Sequence, residues 1–330
     1  MDGVALLNLA VTGLIQGLLI GLAALAVSLC FAIARFPNAA TGDFMTLAAY
    51  VGVAVQGWSG SLLAGGAAGV AVVATVSLAS YGLVFRHFQG RSLVAPLIAS
   101  IGLAFLLRSV LTFAVGFDQQ SFRVPIARAL VYGGVRVRPM DLWLAGFSAA
   151  TLGVVLGVLF LTPIGRRMRA VADNPTLARA SGIRSRPVMI TLWTLIGVCS
   201  AVGGIMLGLR TVVVPEMGWN VLLPAFAAAV LGGVGNPAGA VLAGIGLGLV
   251  EALSTPLVGF TYQSSIAFVV LIATLVLRPQ GLLGRAGLLP MERTASSSSR
   301  IARIRRPNGL RTRPPVIAMP AATAAATRPR

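Results

Sequence analysis

The sequence predicts an all-α fold, a polytopic membrane helical bundle of about eight to nine transmembrane helices. Three observations predict it. Mean hydropathy is +0.90 across 330 residues, of which 57% are hydrophobic and only 10% charged. Apolar runs long enough to cross a bilayer, about 18 residues or more, recur along the chain. These runs carry Gly and Ala without the period-two alternation that a membrane barrel imposes on its strands, so helices are favoured.

Taken in order, the expected spans are 6–34, 42–57, 61–85, 92–116, 141–162, 188–209, 221–235, 238–255 and 261–278, the seventh short enough to be re-entrant. The first has no basic leader and is too long for a signal-peptide core, so it is expected to remain a span. Orientation follows from arginine, because positively charged loops stay cytoplasmic. With the N-terminus outside, the cytoplasmic segments hold Arg35, Arg86, Arg91, the six arginines of 166–186, Arg278 and ten more in the tail, against Arg123, Arg128, Arg136, Arg138 and Arg210 outside. Residues 1–284 are therefore expected to form the transmembrane domain. Residues 285–330, rich in Ser, Pro, Ala and Arg, are expected to form a disordered basic cytoplasmic tail, either solvated or drawn to anionic membrane lipid.

The net charge of +18 resides in short inter-span segments and this tail, so membrane topology explains it and nucleic acid does not. All 26 basic residues are arginine. A chain without lysine has no Walker A motif and hydrolyses no ATP by the P-loop route. His87 is the lone histidine, and Cys30 and Cys199 fall inside apolar runs as small buried thiols; neither a metal cluster nor a catalytic Cys/His pair is spelled out.

Small residues recur four apart at Gly13, Gly17 and Gly21, at Gly65 and Gly69, at Gly153 and Gly157, at Gly204 and Gly208, and at Gly244 and Gly248. Such ladders let helices approach closely in lipid, within one subunit or between two. The charges in or near spans are Arg108, Arg210, Glu216 and Glu251. Arg108 either snorkels or faces the bundle interior, and a structural pair of Arg210 with Glu251 is conceivable.

Three short stretches carry most of the remaining information. In "RRMRAVADNPTLARASGIRSR", 166–186, Asn174 suits an N-cap, Pro175 the first helical position and Gly182 the left-handed position that ends a helix of about two turns. Such a helix is too short to be stable alone and must dock. Leu177 and Ile183 either close its C-terminus by an apolar contact or project toward a partner. In "PNAATGDF", 37–44, one account makes Thr41 an N-cap with Asp43 favoured in the first turn by the helix dipole; the other places Asn38, Gly42 and Asp43 at a translocation gate or path. In "LGGVGNPAGA", 231–240, Gly232, Gly233 and Gly235 permit a tight reversal, with Asn236 and Pro237 starting the next span, or offer unwound backbone to a passing solute.

The segments "RRMRAVADNPTLARASGI", "VVPEMGWNVLLPAFAAAVLGGVGNPAGAVLAGIGLGLVEAL", "LRPQGLLG" and "RFPNAATGDFMTLAAYVG" together resemble the permease family of branched-chain amino-acid ABC transporters, in order over roughly residues 6–284. The resemblance implies one of two paired permease subunits, working with two cytoplasmic ATPases that bind ATP and Mg, and with an extracytoplasmic solute-binding protein. It implies no cofactor on this chain, no enzymatic activity of its own, and a bacterial plasma (inner) membrane location. The loop at 166–186 then resembles the ATPase-coupling motif of ABC permeases, with Asn174, Pro175, Leu177, Ala178, Gly182 and Ile183 as its residues. The Glu-Ala-Ala of that motif is replaced by Thr176, Leu177 and Ala178. "PNAATGDF" resembles the family's Asn-Phe-Ala-His-Gly-acidic signature, keeping Asn38, Gly42 and Asp43 but not the residues between. The implied substrates are branched-chain amino acids or related small solutes. An ion-coupled secondary transporter of a small polar solute, or a membrane scaffold, is the alternative; the first needs titratable groups within the bundle and the second a folded soluble domain.

Overall fold

The computed structural model describes residues 3–88, 94–124, 128, 130–132, 135–259, 263–278 and 281–282. The expected tail of 285–330 lies outside them, as does Arg91. Eleven α-helices occur among the described residues: α1 (Gly3–Leu29), α2 (Thr41–Ser59), α3 (Leu62–Leu83), α4 (Val94–Val115), α5 (Pro139–Leu161), α6 (Pro163–Asp173), α7 (Pro175–Ala180), α8 (Ser185–Arg210), α9 (Met217–Leu231), α10 (Pro237–Val258) and α11 (Gln263–Leu277). A π-helical turn, Cys30–Ala34, extends α1, and a 3₁₀ turn, Phe85–Phe88, follows α3.

Six helices are long and apolar enough to cross a membrane: α1 with its π-helical extension, α3, α4, α5, α8 and α10. The 19-residue α2 and the 15-residue α9 and α11 complete the bundle, which agrees with the expected helix count. Two features are new. A short hairpin, β1 (Leu130–Tyr132) paired antiparallel with β2 (Val135–Val137), lies between α4 and α5. The helix α6 precedes the expected two-turn helix, and Thr162 caps it by accepting from the Gly165 N–H at 3.2 Å, ahead of Pro163 at its first position.

The centre of the bundle is α1, buried along most of its length, with α10 laid against it. Four of the five glycine ladders are spent inside the chain. A Cβ at Gly17 would sit 2.6 Å from the Ile245 carbonyl oxygen, and one at Gly248 2.3 Å from Gly17 Cα. Gly65 and Gly69 face α2 at Gly52 and Ala48, and Gly204 and Gly208 face it at Met45 and Ala49. Gly153 and Gly157 differ: space is open around both, because α5 turns that face outward.

Several of the described arginines lie toward the two ends of the bundle. At one end, Arg35 donates to the Ala172 carbonyl at 3.2 Å, and Arg86 and Arg186 line one cleft. At the other, Arg138 pairs with Asp141 at 3.1 Å, and the Arg136 N–H donates to Asn8 at 2.8 Å. Trp193, only 1% exposed, stacks on Phe85 at 4.6 Å and on Tyr81 at 6.1 Å, tying α3 to α8 near the first end.

Candidate functional site

After the π-helical turn of α1 the chain reverses at Arg35, which adopts left-handed φ of 64°, and residues 35–40 run back into the bundle before α2 begins. The reversal is legible in contacts. Met45, one turn into α2, lies against Gly204 of α8, and Leu22, in the middle of α1, lies against the adjoining Gly203. So α2 starts within the bundle rather than at its end.

A non-helical segment at that depth needs its polar backbone satisfied locally, since lipid offers no partner. Here the Ala39 N–H donates to Ser100 Oγ at 3.1 Å, the Ala40 N–H to Asn38 Oδ1 at 3.1 Å, and Thr41 Oγ1 to the Asn38 carbonyl at 2.9 Å. The expected Thr41 N-cap is therefore corrected. Ala40 occupies the cap position without a side-chain bond. Asn38 organises the turn instead, through the two-residues-on bond typical of asparagine.

The start of α9 meets this start of α2. Gly42 and Gly218 approach so closely that a Cβ on Gly218 would lie 1.9 Å from the Gly42 carbonyl oxygen. The Gly218 N–H, one of the amides a helix start leaves unpaired, donates to Thr46 Oγ1 at 3.1 Å. Asp43, 1% exposed, accepts from Arg108 Nε of α4 at 3.1 Å. The Arg108 guanidinium also lies 5.3 Å from the Trp219 ring centroid, within cation–π range. Arg108 thus faces the bundle interior, and three helices, α2, α4 and α9, share one polar seam. Glu216 and Asn220 are exposed at the same helix start.

The residues of the glycine turn lie elsewhere. Gly42 packs on the first turn of α9, whereas Gly232 follows its last, and 15 residues of helix separate them, about 22 Å. Gly233 and Gly235 take φ of 99° and 83°, and Asn236 caps α10 by accepting from the Gly239 N–H at 3.2 Å. This geometry is the tight helix-to-helix reversal. The conceivable Arg210–Glu251 pair is not formed; Glu251, 2% exposed on α10, accepts from Gln16 of α1 at 2.9 Å.

The third group forms a capped helix on the bundle's basic end. Asn174 Oδ1 accepts from the Thr176 and Leu177 N–H groups, both at 3.0 Å. At the other end Gly182, φ 79°, donates to the Arg179 carbonyl and Ile183 to the Ala178 carbonyl, both at 3.0 Å, a Schellman closure. Of the two readings of Leu177, outward projection is the one that fits its exposure. Leu177 is 63% exposed, whereas Ala178 is buried and Ile183 half-buried in one apolar cluster. Schellman geometry allows Ile183 to contact either Ala178 or Leu177, and burial places Ala178 on the inner side and Leu177 outward.

Sequence reading identified the capped helix and Asp43, but not the partner of Asp43. Arg108 is 65 positions away on another span, and no local spacing connects the two.

Six helices long and apolar enough to cross a membrane, a helix that starts inside the bundle and a buried ion pair at that start fit a multi-pass membrane protein. The comparisons with known proteins then place it. Residues 9–275 match the model of the family described as branched-chain amino acid transport system / permease component, and the chain belongs to that family. Among curated relatives, BraD of Pseudomonas aeruginosa, a high-affinity branched-chain amino acid transport system permease protein, is 28% identical over 83% of this chain and 94% of its own length. LivH of Escherichia coli K12 is 28% identical over 74% of this chain and 81% of its own. A probable LivH of Methanocaldococcus jannaschii is 27% identical over 81% and 89%. A solved structure, PsaBC from Streptococcus pneumoniae in complex with Fab, aligns with TM-score 0.45 at 15% identity over 83% of this chain and 92% of that one. Family membership favours a permease component of an ABC importer over the ion-coupled secondary transporter.

Proposed function

We propose that this permease passes branched-chain amino acids or closely related small solutes, delivered by an extracytoplasmic solute-binding protein, between itself and a second permease subunit. Two cytoplasmic ATPase subunits, holding ATP and Mg, drive it. The observation that carries the reading is the family match through 9–275, which includes both the capped helix and the polar seam. The N-terminus is outside and the basic end cytoplasmic. Grouping of Arg35, Arg86 and Arg186 at one end of the bundle supports that orientation.

In this reading α7 seats on an ATPase subunit through the exposed Leu177 face, with Asn174, Pro175 and Gly182 holding its shape and Ala178 and Ile183 anchoring it inward. Movement of the ATPases passes from α7 through α6 to α8, and from α8 to α2 where Gly204 meets Met45. The α2 start carries Asn38, Gly42 and Asp43, so the coupling reaches the gate by direct packing. Gly232, Gly233 and Gly235 let α9 and α10 move as a hairpin at the cytoplasmic end.

Mild-detergent purification of the tagged chain from its host tests the assembly. A P-loop ATPase and a second permease are expected to co-purify, and Leu177→Asp to lose the ATPase while keeping the second permease. Recovery of the chain alone from intact membranes would overturn the reading. Ile183 is unsuitable for this test because it is half-buried.

A further inference from the structure

At the basic end of the bundle, α3, the turn that follows it and α8 border a cleft of about 470 Å³ lined by Leu78, Tyr81, Gly82, Arg86, Arg186 and Ile190. Its chemistry is divided along the helix axes. Arg86 lies in the turn just beyond the last residue of α3, and Arg186 in the first turn of α8, so both guanidinium groups stand where the apolar spans end. Leu78, Gly82 and Ile190 line the side toward the apolar middle. Both ion pairs formed among the described residues lie elsewhere, at Asp43–Arg108 and Asp141–Arg138. The floor is firm, because Tyr81 stacks on Trp193, itself stacked on Phe85.

We infer that this cleft binds one anionic phospholipid, its phosphate held between Arg86 and Arg186 and an acyl chain laid along Leu78, Gly82 and Ile190. Two observations select that occupant. Paired arginines suit phosphate oxygens, which accept several hydrogen bonds from each planar fork. The groove leads from that charge directly into the apolar zone, which fits a headgroup carrying a hydrocarbon tail and gives a free phosphate no use for the lower half. Basic pockets between transmembrane helices recognise phospholipid headgroups by this division. Gly82 keeps the lower half open: a Cβ built there meets nothing within 4 Å.

The site joins α3 to α8, the helix that follows the basic segment, so an occupying lipid holds the two together at the end where α6 and α7 emerge. It needs only the membrane location and is independent of what solute is carried.

Native mass spectrometry of the full-length chain released from detergent micelles tests the inference, with palmitoyl-oleoyl phosphatidylglycerol as the probe. Arg86→Gln with Arg186→Gln is expected to reduce retained lipid roughly thirtyfold, from the loss of two arginines at an anionic headgroup. Gly82→Leu keeps both charges, favours the helix, and fills the groove; it is expected to reduce retention several-fold at an unchanged melting temperature. Arg166→Gln with Arg167→Gln removes two charges elsewhere and is expected to change nothing. Equal loss in that control would reduce the effect to diffuse basic attraction and overturn the site. Full retention in Gly82→Leu, or displacement of the lipid by excess inorganic phosphate, would show a phosphate site without a lipid groove. Equal retention of phosphatidylcholine would show a groove without charge recognition.

Discussion

Removing the Arg108 guanidinium strands the Asp43 carboxylate, 1% exposed, without its ion-pair partner. Breaking such a pair from one side costs about 3 kcal/mol or more, whereas neutralising both partners costs much less. Arg108→Ala is therefore expected to lower the melting temperature in detergent substantially, and Arg108→Gln combined with Asp43→Asn to recover most of it. The same double variant, folded but inactive in uptake, would assign the pair to the gate; full uptake would leave it a structural clasp. The sequence marks Asp43 as a first-turn acid but says nothing of Arg108's direction, because snorkelling and inward-facing arginines have the same local pattern. Likewise Thr41 is the better N-cap by composition, yet Asn38 satisfies two groups of the turn at once and leaves Thr41 Oγ1 as a donor.

Elements were most legible where local chemistry decides them. The boundaries of α7 follow from Asn174, Pro175 and Gly182, since each of those residues acts within three or four positions of itself. Asn174→Ala is expected to destabilise the segment by about 1 kcal/mol, and Asn174→Ser far less; amide exchange across 175–180 reads the difference. The helix α6 was spelled by the same chemistry, Thr162 before Pro163, but its arginine-rich turns read as an inter-span segment. The extent of α2 and α9 was less legible because hydropathy records that a stretch is apolar, not the depth at which it starts. The glycine ladders show what pattern alone leaves open. Gly204→Ala would bring a Cβ within 2.0 Å of the Met45 carbonyl oxygen, and is expected to cost about 1–3 kcal/mol. Gly153→Ala meets open space and is expected to be neutral or slightly stabilising, through helix propensity. Thermal unfolding of the two variants side by side checks the contrast.

For the whole molecule, class and family were legible because composition, span order and four separated motifs agree over most of the chain. How the spans sit against one another was not, since nearly every wall of the bundle is equally apolar. In that arrangement α7 packs on α6, α6 on α8, and α8 on the α2 start, which is the route the proposed coupling uses. Leu177→Asp, on an exposed position, is expected to leave the melting temperature nearly unchanged while uptake falls at least tenfold; transport by membrane vesicles supplied with ATP measures it. The seam between α1 and α10 has a further consequence, for biosynthesis. Gly13, Gly17 and Gly21 leave the ribosome more than 200 residues before the surface they seat against, from Val241 to Ala252. Between those moments the most buried helix of the finished protein waits in lipid without its mate. A chain interrupted before α10 therefore leaves this flank of α1, from Gly13 to Gly21, without the surface that it packs on in the folded bundle.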